Sequence, residues 1–195
     1  MLLAAATNNA GKIAEYKRIL EPLGFEIRSQ KELGIHSDPE ETGSTFEENA
    51  RIKAEAVLKL TGLPSLADDS GLCVNALHGG PGVYSARYSG GTPKDNIDKL
   101  LRDLKQVPEE KRGAYFICHI CCAWPDGTFT DSEGRCEGRI DTAPRGNGGF
   151  GYDPVFVSDR AGSFGLASPE EKDRVSHRGS ALRAFVLRLR AEHRI

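Results

Sequence analysis

Residues 2–24 read LLAAATNNAGKIAEYKRILEPLG, and this stretch sets the fold class. A short apolar run, Leu2 to Ala6, suits a buried strand. A polar turn follows at Thr7 to Gly11. Ile13, Tyr16, Leu20 and Leu23 then recur at helical spacing, and Gly24 is a stop signal. Strand, turn and helix in direct succession are the beginning of an α/β chain.

The alternation continues outward from there. Phe25 to Ser29 suits a second strand. Thr45 and Glu48 make a capping box for a helix to about Leu60, with Ala50, Ala54 and Val57 on one face. Pro64 to Ala67 reads as a buried strand that ends at Asp68-Asp69-Ser70-Gly71. Thr92-Pro93 opens another helix, with Ile97, Leu100, Leu101 and Leu104 inward. Gly113–Trp124 and Thr128–Ile140 read as neighbouring strands joined at Pro125-Asp126-Gly127. A last helix from about Arg178 to Glu192 buries Leu182, Phe185, Val186 and Leu189. Glycine-rich stretches at 79–91 and 146–151 are loops. The expected class is α/β with a mixed sheet, in a single domain over residues 1–195.

Composition narrows the function. Hydrophobic residues make up 38% and charged residues 28%, an ordinary globular mixture. A formal net charge of −2 gives no broad nucleic-acid-binding face, though one triphosphate needs only a few local cations. No apolar run approaches the roughly 20 residues of a membrane span. The opening Met-Leu-Leu-Ala-Ala-Ala lacks a basic region and is too short for a signal peptide. Of five cysteines, three cluster in Cys118-His119-Ile120-Cys121-Cys122. They read as reduced thiols of a cytoplasmic protein. Zinc binding is the sharper alternative, but no second pair with ligand spacing follows. In an extended strand Cys118, Ile120 and Cys122 share one face, while His119 and Cys121 share the other.

Four stretches carry candidate chemistry. In Thr7-Asn8-Asn9-Ala10-Gly11-Lys12, open amides at a helix start attract anions, Thr7 and Asn9 can donate to phosphate, and Lys12 adds a charge. It is not a Walker loop, which would need glycine in place of Ala6 and a hydroxyl in place of Ile13; an ordinary turn with a surface lysine is the plainer reading. In Asp68-Asp69-Ser70-Gly71, adjacent carboxylates at a strand end call for a hard divalent cation, and the two should play different roles because they face opposite ways; an Asx turn is the alternative. Glu40 or Glu41 could add an acid to the same metal, and Asn49 and Lys53 lie four apart on one helical face. In the run Gly146 to Pro154, Phe150 has an uncrowded ring face that suits a purine, and Asp153 can accept from base or sugar; a glycine-rich hairpin with two core aromatics fits equally. Lys172 and Ser176-His177-Arg178, near the last helix start, suit an acceptor-rich ligand, or a structural histidine and a surface ion pair.

Taken in order, these pieces resemble the inosine/xanthosine triphosphate pyrophosphatase family over almost the whole chain. Glu41-Thr42-Gly43-Ser44-Thr45-Phe46-Glu47-Glu48-Asn49-Ala50 and Pro81-Gly82-Val83-Tyr84-Ser85-Ala86-Arg87-Tyr88 extend the match. The resemblance implies a two-lobed α/β fold on a long mixed sheet flanked by helices, with the active cleft between lobes. It implies a homodimer and Mg²⁺. Thr7, Asn8, Asn9, Ala10, Gly11 and Lys12, with Lys53 and Ser70, would hold phosphates. Glu41 and Asp69 would hold the metal, and Asp69 would also position the attacking water. Phe150, Gly151, Tyr152, Asp153, Lys172, His177 and Arg178 would hold base and sugar. The implied reaction is hydrolysis of ITP, dITP and XTP to monophosphate and pyrophosphate. A Maf-like pyrophosphatase with another base preference and a non-catalytic nucleotide sensor are the rival readings.

Overall fold

A computed structural model describes all 195 residues of the chain. The strands are β1 (Leu2–Ala5), β2 (Glu26–Ser29), β3 (Ser65–Val74), β4 (Gly113–Ala123), β5 (Phe129–Ile140), β6 (Phe156–Ser158) and β7 (Gly162–Ser163). The helices are α1 (Ala10–Leu20), α2 (Phe46–Thr61), α3 (Pro93–Asp103), α4 (Pro169–Val175) and α5 (His177–Ala191). The seven strands form one sheet in the order β2-β1-β3-β4-β5-β6-β7. β1 runs parallel to β2 and β3, while β6 runs antiparallel to β5 and β7, so the sheet is mixed. No helix is long and apolar enough to cross a membrane.

The chain divides into two compact units, one of Met1–Asp69, Cys118–Gly134 and Arg178–Ile195, the other of Ser70–Ile117 and Arg135–His177. In the first unit both sheet faces are covered, which is why its strands read as continuous apolar runs. Leu3, Ala5, Leu66, Cys118, Ile120 and Cys122 pack against Tyr16 and Leu20 of α1 and Leu182, Phe185 and Leu189 of α5. Ala4, Ala6, Ala67, Cys121 and Ala123 meet Ala50, Ala54 and Val57 of α2 on the opposite face. The cysteines alternate between these cores as a two-residue period requires, and all five are free thiols. In the second unit Leu72, Val74, Phe116, Ile140 and Phe156 pack with Ile97, Leu100 and Leu104 of α3.

Local signals explain most boundaries. The Thr45–Glu48 capping box starts α2, and the Thr92–Asp95 box with Pro93 starts α3. Gly24 stops the first helical segment in a left-handed conformation, φ 89°. One boundary departs from expectation. β3 does not end at Asp68-Asp69 but continues to Val74, so both aspartates sit mid-strand. Aspartate is a poor strand former. Here each carboxylate has basic or amide donors on its own face of the sheet, and tertiary contacts override the propensity.

The β5–β6 pairing depends on a missing side chain. Gly138 lies opposite Ser158, and a Cβ at Gly138 would stand 2.3 Å from the Val157 carbonyl oxygen and 2.7 Å from Phe156 Cζ. Gly138→Ala is therefore expected to destabilise the fold by about 1–3 kcal/mol, the usual cost of overpacking. Urea unfolding measures it, and an unchanged midpoint would show that β6 can shift freely.

Candidate active site

Because β3 is extended, Asp68 and Asp69 point to opposite faces and gather different partners. Asp69 meets α2. Its Oδ1 accepts from Lys53 Nζ at 2.8 Å, and its Oδ2 accepts from the Asn49 amide at 3.4 Å. Lys53 donates equally to Glu41 Oε1 at 2.8 Å, while Glu40 is exposed. Asn49 in turn accepts the Gly43 amide at 2.8 Å, which fixes the loop carrying Glu41. The expected trio Glu41, Lys53 and Asp69 is thus assembled by one helical face and one loop.

The electrostatics of this trio are uneven. Burial raises the Asp69 carboxyl, Lys53 pulls it back, Glu41 pushes it up again, and the result stays above the ordinary range. Burial would lower Lys53, but Asp69, Asp68 and Glu41 outweigh it and raise its ammonium. One ammonium is shared between two carboxylates. Two hard carboxylate donors in that condition fit a divalent cation that completes its shell with water and phosphate oxygen. No cluster of three or more His, Cys, Asp or Glu side chains forms a closed metal site.

Asp68 faces the other way, into the core beneath α1 and α5. Its Oδ1 accepts from Tyr16 Oη at 2.5 Å, and its Oδ2 accepts from Arg178 Nη2 at 2.9 Å and Nε at 3.3 Å. Lys12 Nζ lies 3.0 Å from Oδ2, and Arg178 Nη1 pairs with Glu15 at 2.5 Å. Burial would raise the Asp68 carboxyl, but Arg178, Lys12 and Lys53, with the Tyr16 hydroxyl, hold it well below the usual carboxylate range. Burial and the neighbouring Asp68 push the Tyr16 hydroxyl well above its own range. Arg178 is only 1% exposed. A role at the purine base requires its guanidinium to release these carboxylates. Neither Tyr16 nor Glu15 was among the candidates from sequence, although both follow Lys12 at the i+4 and i+3 spacing of one helical face.

At Thr7 to Lys12 the structure corrects one expectation. The Gly11 and Lys12 amides are not open to an anion, because Asn9 Oδ1 accepts both, at 2.9 and 3.2 Å. Asn9 caps its own helix, and Thr7 Oγ1 accepts the Asn9 amide at 3.1 Å. Asn8 donates to the Ser37 carbonyl at 3.2 Å. Asn8, Asn9 and Ala10 are exposed at the turn, with Gly11 partly so.

The second unit holds the aromatic candidates. Asp153 is 2% exposed, and its Oδ2 accepts both the Phe150 amide at 2.8 Å and Lys172 Nζ at 2.6 Å. Lys172 also lies 4.5 Å from the centroid of the half-buried Phe150 ring. Gly149 permits this, since its φ is +71° and a Cβ would stand 2.1 Å from Asp153 Oδ2. Gly151 follows Phe150 with φ +59°. Tyr152 is a core aromatic whose hydroxyl donates to the Ser85 carbonyl at 2.8 Å. His177 stacks on Phe116 at 4.6 Å and 14°. Phe150, Asp153 and Lys172 therefore form one group, Tyr152 and His177 are buried in the same unit, and Ser70 is partly exposed on β3.

The Ham1 family model matches residues 3–187. The dITP/XTP pyrophosphatase of Bacillus subtilis (strain 168) is 47% identical over 181 residues, which is 91% of this chain and 91% of that protein. The dITP/XTP pyrophosphatase of Thermus thermophilus is 48% identical over 188 residues, covering 95% of this chain and 90% of its own. A HAM1 protein from Coxiella burnetii has a solved structure that matches with a TM-score of 0.85 at 39% identity, covering 98% of this chain and 99% of that one.

The Asp68 cluster makes a stability prediction. A carboxyl held low in the folded state contributes stability present above its unfolded pKa, about 3.9, and lost as pH falls through the folded value. Asp68→Asn removes one of the two carboxylates that pair with the buried Arg178 and should cost up to about 3–5 kcal/mol at neutral pH. It should also flatten the fall in stability below about pH 4. Denaturation across pH tests both, and wild-type stability in the variant would show that the pairing contributes nothing.

Proposed function

The chain belongs to the Ham1 family, and from that premise we propose that it hydrolyses ITP, dITP and XTP to the nucleoside monophosphate and pyrophosphate. The reading is carried by near-half identity to dITP/XTP pyrophosphatases across nine-tenths of both chains. The geometry agrees with it, because such chemistry is chiefly positioning and charge stabilisation.

The residue roles that fit this chemistry are as follows. Lys12 and Lys53, with the turn at Thr7 to Gly11 and Ser70, hold the polyphosphate. Mg²⁺ would be held by Asp69 and Glu41, and when bound it supplies positive charge to the triphosphate. Asp69 accepts a hydrogen bond from the attacking water and aims its oxygen at the α-phosphorus. The bond from that phosphorus to the bridging oxygen breaks, and pyrophosphate leaves. Phe150 offers a ring face to the purine, and Lys172 with the amides at the Ser176-His177-Arg178 helix start meets the 6-oxo group. Adenine presents a 6-amino donor there, which leaves buried donors unpaired. The protein works as one domain in a homodimer, and five reduced cysteines suit the cytoplasm.

Two outcomes are expected. Pyrophosphate release measured across purine triphosphates, with and without Mg²⁺, should show kcat/KM for ITP above that for ATP by at least about 10²-fold. Equal use of ATP and ITP would overturn the base reading. Asp69→Asn should lower kcat by about 10²-fold or more without unfolding the chain. A folded variant with near wild-type turnover would remove Asp69 from the chemistry.

A further inference from the structure

Tyr16 brings a hydroxyl and no charge to Asp68. It lies one helical turn beyond Lys12 on α1, has no exposed surface, and donates to Asp68 Oδ1. The other oxygen, Oδ2, is shared between Arg178 at 2.9 Å and Lys12 at 3.0 Å. Lys12 also lies 3.4 Å from the Asp68 carbonyl. The Lys12 side chain keeps 15% exposure while that of Asp68 has none, so the ammonium stands at the edge of the cluster and the carboxylate at its centre.

Release of Lys12 carries a cost for phosphate binding. When Lys12 turns to a phosphate, Asp68 loses one of the two cations that share its Oδ2, and the carboxylate stays buried. A buried carboxylate that loses a cation costs free energy unless other donors satisfy it, and that cost opposes binding of the polyphosphate.

We propose that Tyr16 is a positioning residue that frees Lys12 for the polyphosphate. Its hydrogen bond keeps Asp68 satisfied as the ammonium leaves, so the carboxylate holds Lys12 less tightly than a bare buried aspartate would. The inference rests on the reading of Lys12 as a phosphate ligand. Tyr16→Phe deletes the hydroxyl and keeps the ring that packs in the core.

The test is a double-mutant cycle on the intact protein, using binding of inorganic pyrophosphate with Mg²⁺ measured by calorimetry. Tyr16→Phe should weaken that binding by about three- to tenfold, as loss of one hydrogen bond allows. KM for ITP should rise by a similar factor while kcat stays within about twofold. In a Lys12→Ala background the Tyr16→Phe effect should vanish. A Tyr16→Phe loss of equal size with and without Lys12 would mean that Tyr16 acts through packing, and the inference would fail. It would fail also if Lys12→Ala weakens binding and Tyr16→Phe does not. If Lys12→Ala leaves pyrophosphate binding unchanged, the phosphate reading itself falls and takes this inference with it.

Discussion

Two adjacent carboxylates in a buried strand must find positive partners on opposite faces of the sheet, because successive side chains in β3 alternate. Asp68 takes its partners from α1 and α5, and Asp69 takes its partners from α2 and the loop before it. Three helices and a loop are thereby tied to one dipeptide. Lys53 and Arg178 lie far apart in sequence, yet both are placed by where those two aspartates point. The catalytic reading depends on this asymmetry. The side facing Asp68 gathers Arg178 and Lys12 with two acids. The side facing Asp69 shares the Lys53 ammonium between two carboxylates.

The second unit solves a related problem with fewer charges. Lys172 and Asp153 are both buried and form a close pair, and the aromatic rings of Phe150 and Phe164 flank the ammonium. The carboxylate also receives the Phe150 amide, so the loop that presents the ring and the charge beside it are held by one acceptor. A purine placed against Phe150 would therefore meet a donor whose position is already set, which limits the entropy lost on binding.

Much of this was legible in the sequence, for identifiable reasons. Apolar periodicity located the helices and strands, since both sheet faces of the first unit are filled by helices. The Thr45–Glu48 box marked its helix because its chemistry is local. The alternation of Asp68 and Asp69 followed from strand geometry alone. What escaped depends on long-range partners. Nothing local says that β3 continues through two aspartates; that follows from Lys53, Asn49, Tyr16 and Arg178, drawn from three helices. Likewise the helix-start amides of Gly11 and Lys12 read as open to an anion, but the Asn9 Oδ1 accepts both. Arg178 read as a surface or pocket cation because the Glu15 carboxylate that helps bury it lies at the other end of the chain. The short helix α4, capped by Ser168 and Glu171, was passed over because seven residues show too little periodicity.

The alternation of thiols along β4 has a consequence for how the protein ages. Burial raises the Cys118, Cys121 and Cys122 thiols, so almost none is thiolate at neutral pH. Oxidants and alkylating agents attack the thiolate, and they must first reach it. Since β4 is a central strand with cysteines in cores on both of its faces, damage waits on an opening of the sheet itself. The rate of thiol loss then counts those openings, and the chain carries its own clock of local unfolding.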